Sequence, residues 1–207
     1  MQPDTRPDTV TPRVLLINGS PRAGGNSDVL TGRIAAGIES ASLVAETVRL
    51  RELEYSSCVG CEACRKDRRC SRFDDGMTSL YDAIARARGL VLVSPVHNYN
   101  VTAWMKAFID RLYCFYDFEY PRPGPWRSRL SGQGRAALVV AVAEQRDLSD
   151  AGFTLEAMRR PLEALGYKVM DDLLVPGVFD KGAVSRLDAV LSATEEAGKA
   201  LAEAITP

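Results

Sequence analysis

Three stretches of this 207-residue chain carry side chains whose types and spacing can do chemistry. In CVGCEACRKDRRC, Cys58, Cys61, Cys64 and Cys70 follow the spacing C-x2-C-x2-C-x5-C. Three thiolates held two residues apart can wrap one corner of an iron-sulfur cubane, and a fourth a few residues on can close it. Zinc sites pair two close ligands with two distant ones and fit this run less well; free or disulfide-forming thiols are the third reading. Ser71, not proline, follows the last cysteine and the run is not repeated, so one cluster per chain is expected. Arg65, Lys66, Arg68 and Arg69 inside the loop would offset the charge of a ligated cluster, activate thiols in its absence, or form a solvated face.

The second stretch, NGSPRAGGNS (18–27), supplies hydroxyls at Ser20 and Ser27, an amide at Asn26, a guanidinium at Arg22 and the flexible pair Gly24-Gly25. These precede a helical pattern whose free N–H groups and positive dipole end favour a phosphomonoester. A dinucleotide fingerprint is excluded because Gly19 is followed by Ser20-Pro21, and a P-loop because no lysine is present. The bland alternative is a turn joining strand to helix. In the third stretch, SPVHNYNVTAWMKAFIDR (94–111), Pro95 fixes the chain, and His97, Asn98, Tyr99 and Asn100 offer amides and a ring to a planar heteroaromatic ligand. His97 is the sole histidine, and a lone loop histidine reads first as a hydrogen-bonding or packing residue.

The elements that must position these groups follow from apolar periodicity. Strands are expected at 14–18, 43–50, 89–95, 135–143 and 167–175, with helices at about 26–41, 76–88, 101–116, 150–165 and 183–205. Asp74 and Asp75 are cap candidates for the second helix. Strands alternating with helices imply a doubly wound parallel sheet covered on both faces, whose ligands bind beyond the carboxyl ends of the strands. Residues 1–12 read as a disordered tail, 13–207 as one domain, 56–73 as a cysteine loop with little packing of its own, and 117–134 as an irregular arm. Tyr113, Phe115 and Tyr116 cannot all face one side of a helix, so some are expected to cover a ligand or another subunit. Cys114 reads as a buried small hydrophobe, and Arg127 and Arg129 as solvated cations or phosphate ligands.

Composition narrows the partners. With 46% hydrophobic residues the chain can bury a sizeable core, and 26 Lys plus Arg against 27 Asp plus Glu leave a net charge of −1 with no field to hold a nucleic acid. No apolar run reaches bilayer length, so no membrane association is expected, and clustered cysteines without a secretory leader point to the cytoplasm.

GSPRAGGNS followed by SPVHNYNVTAWMKAFIDR resembles the NAD(P)H-dependent FMN reductases of the flavodoxin-like superfamily, from Val14 to Ile205. The resemblance implies a flavodoxin-like three-layer fold, a five-stranded parallel sheet in the order 2-1-3-4-5. It implies that Ser20, Arg22, Asn26 and Ser27 bind the FMN phosphate, that Pro95, Val96, His97, Asn98, Tyr99 and Asn100 line the ribityl chain and ring, and that Glu144 and Gln145 approach the ring from the other side. Many relatives place an aromatic or acidic residue where His97 stands. The position of the cysteine run, after the second strand, is similar to that of the iron-sulfur flavoproteins, a branch that carries a 4Fe-4S cluster. The implied activity is transfer of electrons from NAD(P)H through FMN, and through the cluster where present, to a quinone, flavin or other small acceptor. No catalytic side chain is assigned, since hydride transfer to flavin needs no protein acid. A carrier fed by ferredoxin and a cysteine-based redox or metal sensor are the alternatives, and a homodimer or homotetramer is implied.

Overall fold

Alternate side chains of a strand point to opposite faces, so a strand apolar throughout must serve two cores. In the computed structural model, which describes residues 13–206, Leu15 and Ile17 face one layer of helices while Val14 and Leu16 face the other. The expected tail, 1–12, lies outside the described residues. The chain runs β1 (Arg13–Asn18), α1 (Asn26–Ser40), β2 (Val44–Arg49), α2 (Cys64–Asp67), α3 (Leu80–Arg86), β3 (Gly89–Pro95), α4 (Ala103–Arg111), β4 (Tyr116–Phe118), β5 (Trp126–Ser128), β6 (Ala136–Val142), α5 (Thr154–Leu165), β7 (Lys168–Val175) and α6 (Asp188–Ile205). The large sheet is ordered β2-β1-β3-β6-β7 with every pairing parallel. Counted among its own strands, this is the expected 2-1-3-4-5. Because Asn18 pairs with both Arg49 and Val93, and Val142 with both Pro95 and Val175, the carboxyl ends gather at one edge. The loops after β1, β3, β6 and β7 are thereby brought together.

Leu30, Ile34 and Ile38 of α1 and Leu191 and Leu201 of α6 cover one face of the sheet. Ile84 of α3, Met105 and Phe108 of α4 and Met158 and Leu162 of α5 cover the other. The backbones of α1 and α6 approach so closely that a Cβ at Gly37 would overlap the Glu195 carbonyl and one at Gly198 the Ile34 carbonyl. No helix among the described residues is long and apolar enough to cross a membrane.

Several expected elements are drawn differently: the cysteine loop holds the short helix α2, and the last helix, expected from 183, starts at Asp188 after a 3-10 turn over Ala183–Arg186. The helix expected over 101–116 is capped by the Thr102 hydroxyl, which accepts from the Met105 amide, and beyond Arg111 it tightens into a 3-10 turn over Leu112–Phe115. The helix expected from 76 starts at Leu80, because the Asp75 carboxylate accepts from the Met77 amide and closes a separate turn first. The arm expected to be irregular holds an antiparallel hairpin, Tyr116 to Phe118 against Trp126 to Ser128.

Candidate functional site

Asn18, at the end of β1 and fully buried, shapes the loop that follows it. Its Oδ1 accepts from the Ser20 amide (2.8 Å), and its Nδ2 donates to Asp28 (2.8 Å) and Thr31 (3.1 Å). Asp28 also accepts from the Gly24 amide (2.6 Å) and takes both prongs of the Arg51 guanidinium, each at 2.9 Å. That fork neutralises a carboxylate that would otherwise repel an anion in the loop. Gly25 stands at the N-cap of α1 and no side chain caps the helix, which leaves its first amides and positive dipole end for a ligand.

The cleft beyond this loop encloses about 200 Å³ and is lined by Ser20, Arg22, Asn26, Ser27, Pro95, Val96, His97 and Glu144. It adjoins a hollow of about 180 Å³ lined by Val96, Asn98, Tyr99, Glu144, Gln145 and Asp150. Val96 and Glu144 belong to both, so the two adjoin, together a trough across the ends of β1, β3 and β6. Every expected cofactor residue except Asn100 lines it. Asn100 instead closes a tight turn, exchanging backbone hydrogen bonds with His97 (2.8 and 3.1 Å).

In that turn Asn98 and Tyr99 both have positive φ, 49° and 65°. Asparagine tolerates this conformation, whereas a bulky residue such as Tyr99 is held there at a cost of about 1–3 kcal/mol. The Phe153 amide donates to the Tyr99 carbonyl at 2.8 Å, and Gly152, at φ 54°, packs so close that any Cβ would overlap that oxygen. The ring of Tyr99 is more than half exposed at the trough. Thr102 ties the two loops together by donating to the Gly19 carbonyl at 2.8 Å.

Two expected phosphate ligands have further work. The Arg22 guanidinium lies 4.9 Å from the Phe179 ring centroid and donates to the Phe179 carbonyl, while the Asn26 amide group donates to the Asp180 carbonyl and accepts from the Val184 amide. The segment after β7 is thus fastened over the β1–α1 loop, bringing Val178, Phe179 and Lys181 into the cleft wall. Sequence reasoning missed these three, as it missed Asn18, Asp28 and Arg51. A buried asparagine at the strand end was a local signal for Asn18. No local signal links Arg51 to Asp28, which it meets only through the β1–β2 pairing.

The cysteine loop is closed at its neck. Arg111, with a side chain 1% exposed, donates to Asp75 (2.8 and 3.1 Å) and to the Ser56 carbonyl (2.7 Å), and the Ser56 amide donates to Asp75 (3.1 Å). Burial pushes the Asp75 pKa up, but the Arg111 fork and the Ser56 and Met77 amides outweigh it and hold the carboxyl below its ordinary value. Inside the neck, Cys58, Cys61, Cys64, Cys70 and also Cys114 line one largely apolar hollow with Phe73 and Tyr113. Cys58 and Cys61 are exposed, Cys64 and Cys70 half-buried, and Cys114 buried as expected. Burial raises the Cys64 pKa, with Arg65 pulling against it, and pushes the Cys114 thiol up to about 12. Among the described residues, no three His, Cys, Asp or Glu side chains converge on one metal ion.

The arm clasps this loop. Arg65 lies over the rings of both Tyr113 (3.9 Å) and Phe118 (4.5 Å), donates to the carbonyls of Tyr116 and Tyr113, and reaches the Cys64 sulfur at 3.8 Å. Arg122 pairs with Glu62 (2.7 Å), and Arg129 donates to the Arg68 and Cys114 carbonyls. Tyr113 and Tyr116, expected to cover a ligand or a subunit, pack on this loop and hairpin, while Phe115 enters the core. Arg127 is exposed on the hairpin, and Arg129 is committed to the clasp.

The profile of the NADPH-dependent FMN reductase family matches residues 12–175, which include β1 to β7, most of the trough and the cysteine hollow. The chain belongs to this family. It is 31% identical over 150 residues to an iron-sulfur flavoprotein of Archaeoglobus fulgidus, covering 72% of this chain and 62% of that protein. To an iron-sulfur flavoprotein of Methanosarcina thermophila it is 33% identical over 95 residues, 46% of this chain and 49% of that one. The chain therefore spans about half to three-fifths of the length of these relatives. The fold is also that of an NAD(P)H:quinone oxidoreductase from Methanothermobacter marburgensis, at TM-score 0.71 and 19% identity, covering 92% of this chain and 99% of that one.

Proposed function

We propose that this family member is an FMN-dependent oxidoreductase that takes electrons from NAD(P)H and delivers them to a small acceptor such as a quinone or a flavin. The observation that carries this reading is that the two hollows of the trough share a wall, Val96 and Glu144. The trough begins at an uncapped helix N-terminus suited to a phosphomonoester and ends at the Tyr99 turn, suited to a planar ring. Ser20, Ser27 and the first amides of α1 would hold the phosphate of FMN, Pro95 to Tyr99 the ribityl chain and ring, and Glu144 and Gln145 its far edge. Asn18, Asp28 and Arg51 set the shape of the phosphate loop, and Thr102 fixes its distance from the Tyr99 turn.

We read the cysteine loop as the site of a 4Fe-4S cluster on Cys58, Cys61, Cys64 and Cys70, whose thiols gather along one hollow and would have to draw together to hold it. The donors are soft thiols around a single hollow, the wall is largely apolar, and Arg65 offers a positive charge beside Cys64. Bound, FMN would supply two-electron chemistry with nicotinamide and the cluster a one-electron path. At about 1.5 Å per residue, Asp110 at the cysteine hollow lies roughly 12 Å along α4 from Thr102, which bonds to Gly19 next to the cleft residue Ser20. Cys58 and Cys61 are exposed, which favours as a second reading exchange of electrons with a protein such as ferredoxin.

Protein purified without oxygen is expected to show flavin absorption and, with the cluster, a broad brown shoulder with matching iron and sulfide. Anaerobic NADH or NADPH should bleach the flavin. A colourless protein that gains nothing from added FMN sinks the reading, and a flavin that neither nicotinamide bleaches transfers support to the carrier.

A further inference from the structure

The segment after β7 lies beyond the residues that the family profile matches, yet it forms one wall of the phosphate end of the trough. It is fastened there from two sides. Arg22 stacks on Phe179 and donates to its carbonyl at 3.3 Å, and Asn26 bonds to both Asp180 and Val184 at 3.1 Å. Between these anchors stands Lys181, an exposed residue that lines the same cleft as Ser20 and Ser27. Its Cε lies against Gly24, 3.1 Å from where a Cβ would stand. Among the described residues, Lys181 has neither an ion pair nor a hydrogen bond. The nearby carboxylate of Asp28 is taken by Arg51, and Glu144 stands in the opposite wall.

We propose that residues 176–184 are a strap that delivers Lys181, beside the Gly24-Gly25 turn at the helix N-terminus, as a second anchor for the flavin phosphate, and so selects FMN over riboflavin. The inference rests on the reading of the trough as a flavin site. Arg22 and Asn26 act as positioning residues: they hold the strap, and their side chains reach the phosphate less directly than the sequence pattern implied. A lysine is a flexible point charge, so it can follow a phosphate dianion without a rigid geometry. Its contribution is electrostatic and falls with salt.

The test is titration of flavin-free protein with FMN and with riboflavin, following flavin fluorescence, at low and high ionic strength. Lys181→Gln is expected to weaken FMN binding about tenfold at low salt, as for a charge-assisted contact, and to leave riboflavin unchanged. Lys181→Arg should restore most of the preference. Equal FMN affinity in Lys181→Gln and the unsubstituted protein, or an equal loss of both flavins, overturns the proposal. If the unsubstituted protein binds neither flavin, the flavin reading falls first and the inference with it.

Discussion

Tyr99 is a single residue held in a conformation that its side chain disfavours, and what holds it is a neighbour without a side chain. Gly152 leaves room for the Tyr99 carbonyl, and the next amide, of Phe153, bonds to it. Gly152→Ala must both strain a positive φ and push the Tyr99 turn away. It is expected to cost about 1–3 kcal/mol of stability and to weaken flavin binding by displacing the turn. Thermal unfolding and an FMN titration check this; unchanged values in both would mean that the turn adapts freely. The strain at Tyr99 had no signature in the string HNYN, which reads equally well as an open loop. Its partner Gly152 is more than fifty residues away and became informative only when the two were in contact.

At the scale of elements, the cysteine loop is ordered by what surrounds it. Arg111 at the end of α4 closes the neck through Asp75, and the hairpin of β4 and β5 clasps the outer side through Arg65, Arg122 and Arg129. Asp75→Asn leaves the buried Arg111 guanidinium without its counter-charge, a loss of about 3–5 kcal/mol. The folded-state pKa of Asp75 is depressed, so its contribution is fully present above the unfolded value, about 3.9, and is lost as pH falls through the folded one. The stability gap between the two proteins should therefore be widest near neutral pH and close below about pH 4. Urea unfolding at several pH values reads this directly, and a gap that does not change with pH would refute the role of the charge. The clasp predicts in addition that Arg122→Ala, which releases Glu62, the Tyr113 hydroxyl and the face of Phe118, all on the exposed side of the loop, speeds alkylation of Cys58 and Cys61 in metal-free protein while the global unfolding midpoint stays put. An unchanged alkylation rate would show that the hairpin does not restrain the loop.

At the scale of the molecule, the sheet is held between two helical layers, and the closest approach in the α1–α6 layer is paid for by two glycines. Gly198→Val would drive a side chain into the Ile34 carbonyl and separate α1 from α6; a loss of about 1–3 kcal/mol or more is expected in denaturant unfolding. Since α1 carries the phosphate loop at its start, FMN affinity should fall with it. We also propose that the chain assembles as a dimer or tetramer, supported by exposed Tyr99, Trp104, Leu148 and Phe153 around the ring end of the trough. Light scattering at micromolar concentration tests it, and a monomer under those conditions removes the proposal.

What the residues alone carried was the five-stranded parallel sheet with its flanking helices, the two polar loops at the strand ends and the crowding of four cysteines. All of these depend on local pattern: apolar runs too continuous for one-sided strands, turn residues before a helix, ligands a few positions apart. The tertiary structure alone decided what holds those groups in place. Arg51 meets Asp28, Arg111 meets Asp75, Arg65 covers two arm aromatics, and Lys181 lines the cleft beside the β1–α1 loop. Each joins residues distant in the chain. A charged side chain carries no mark of its partner until folding removes both from water and makes the pairing matter.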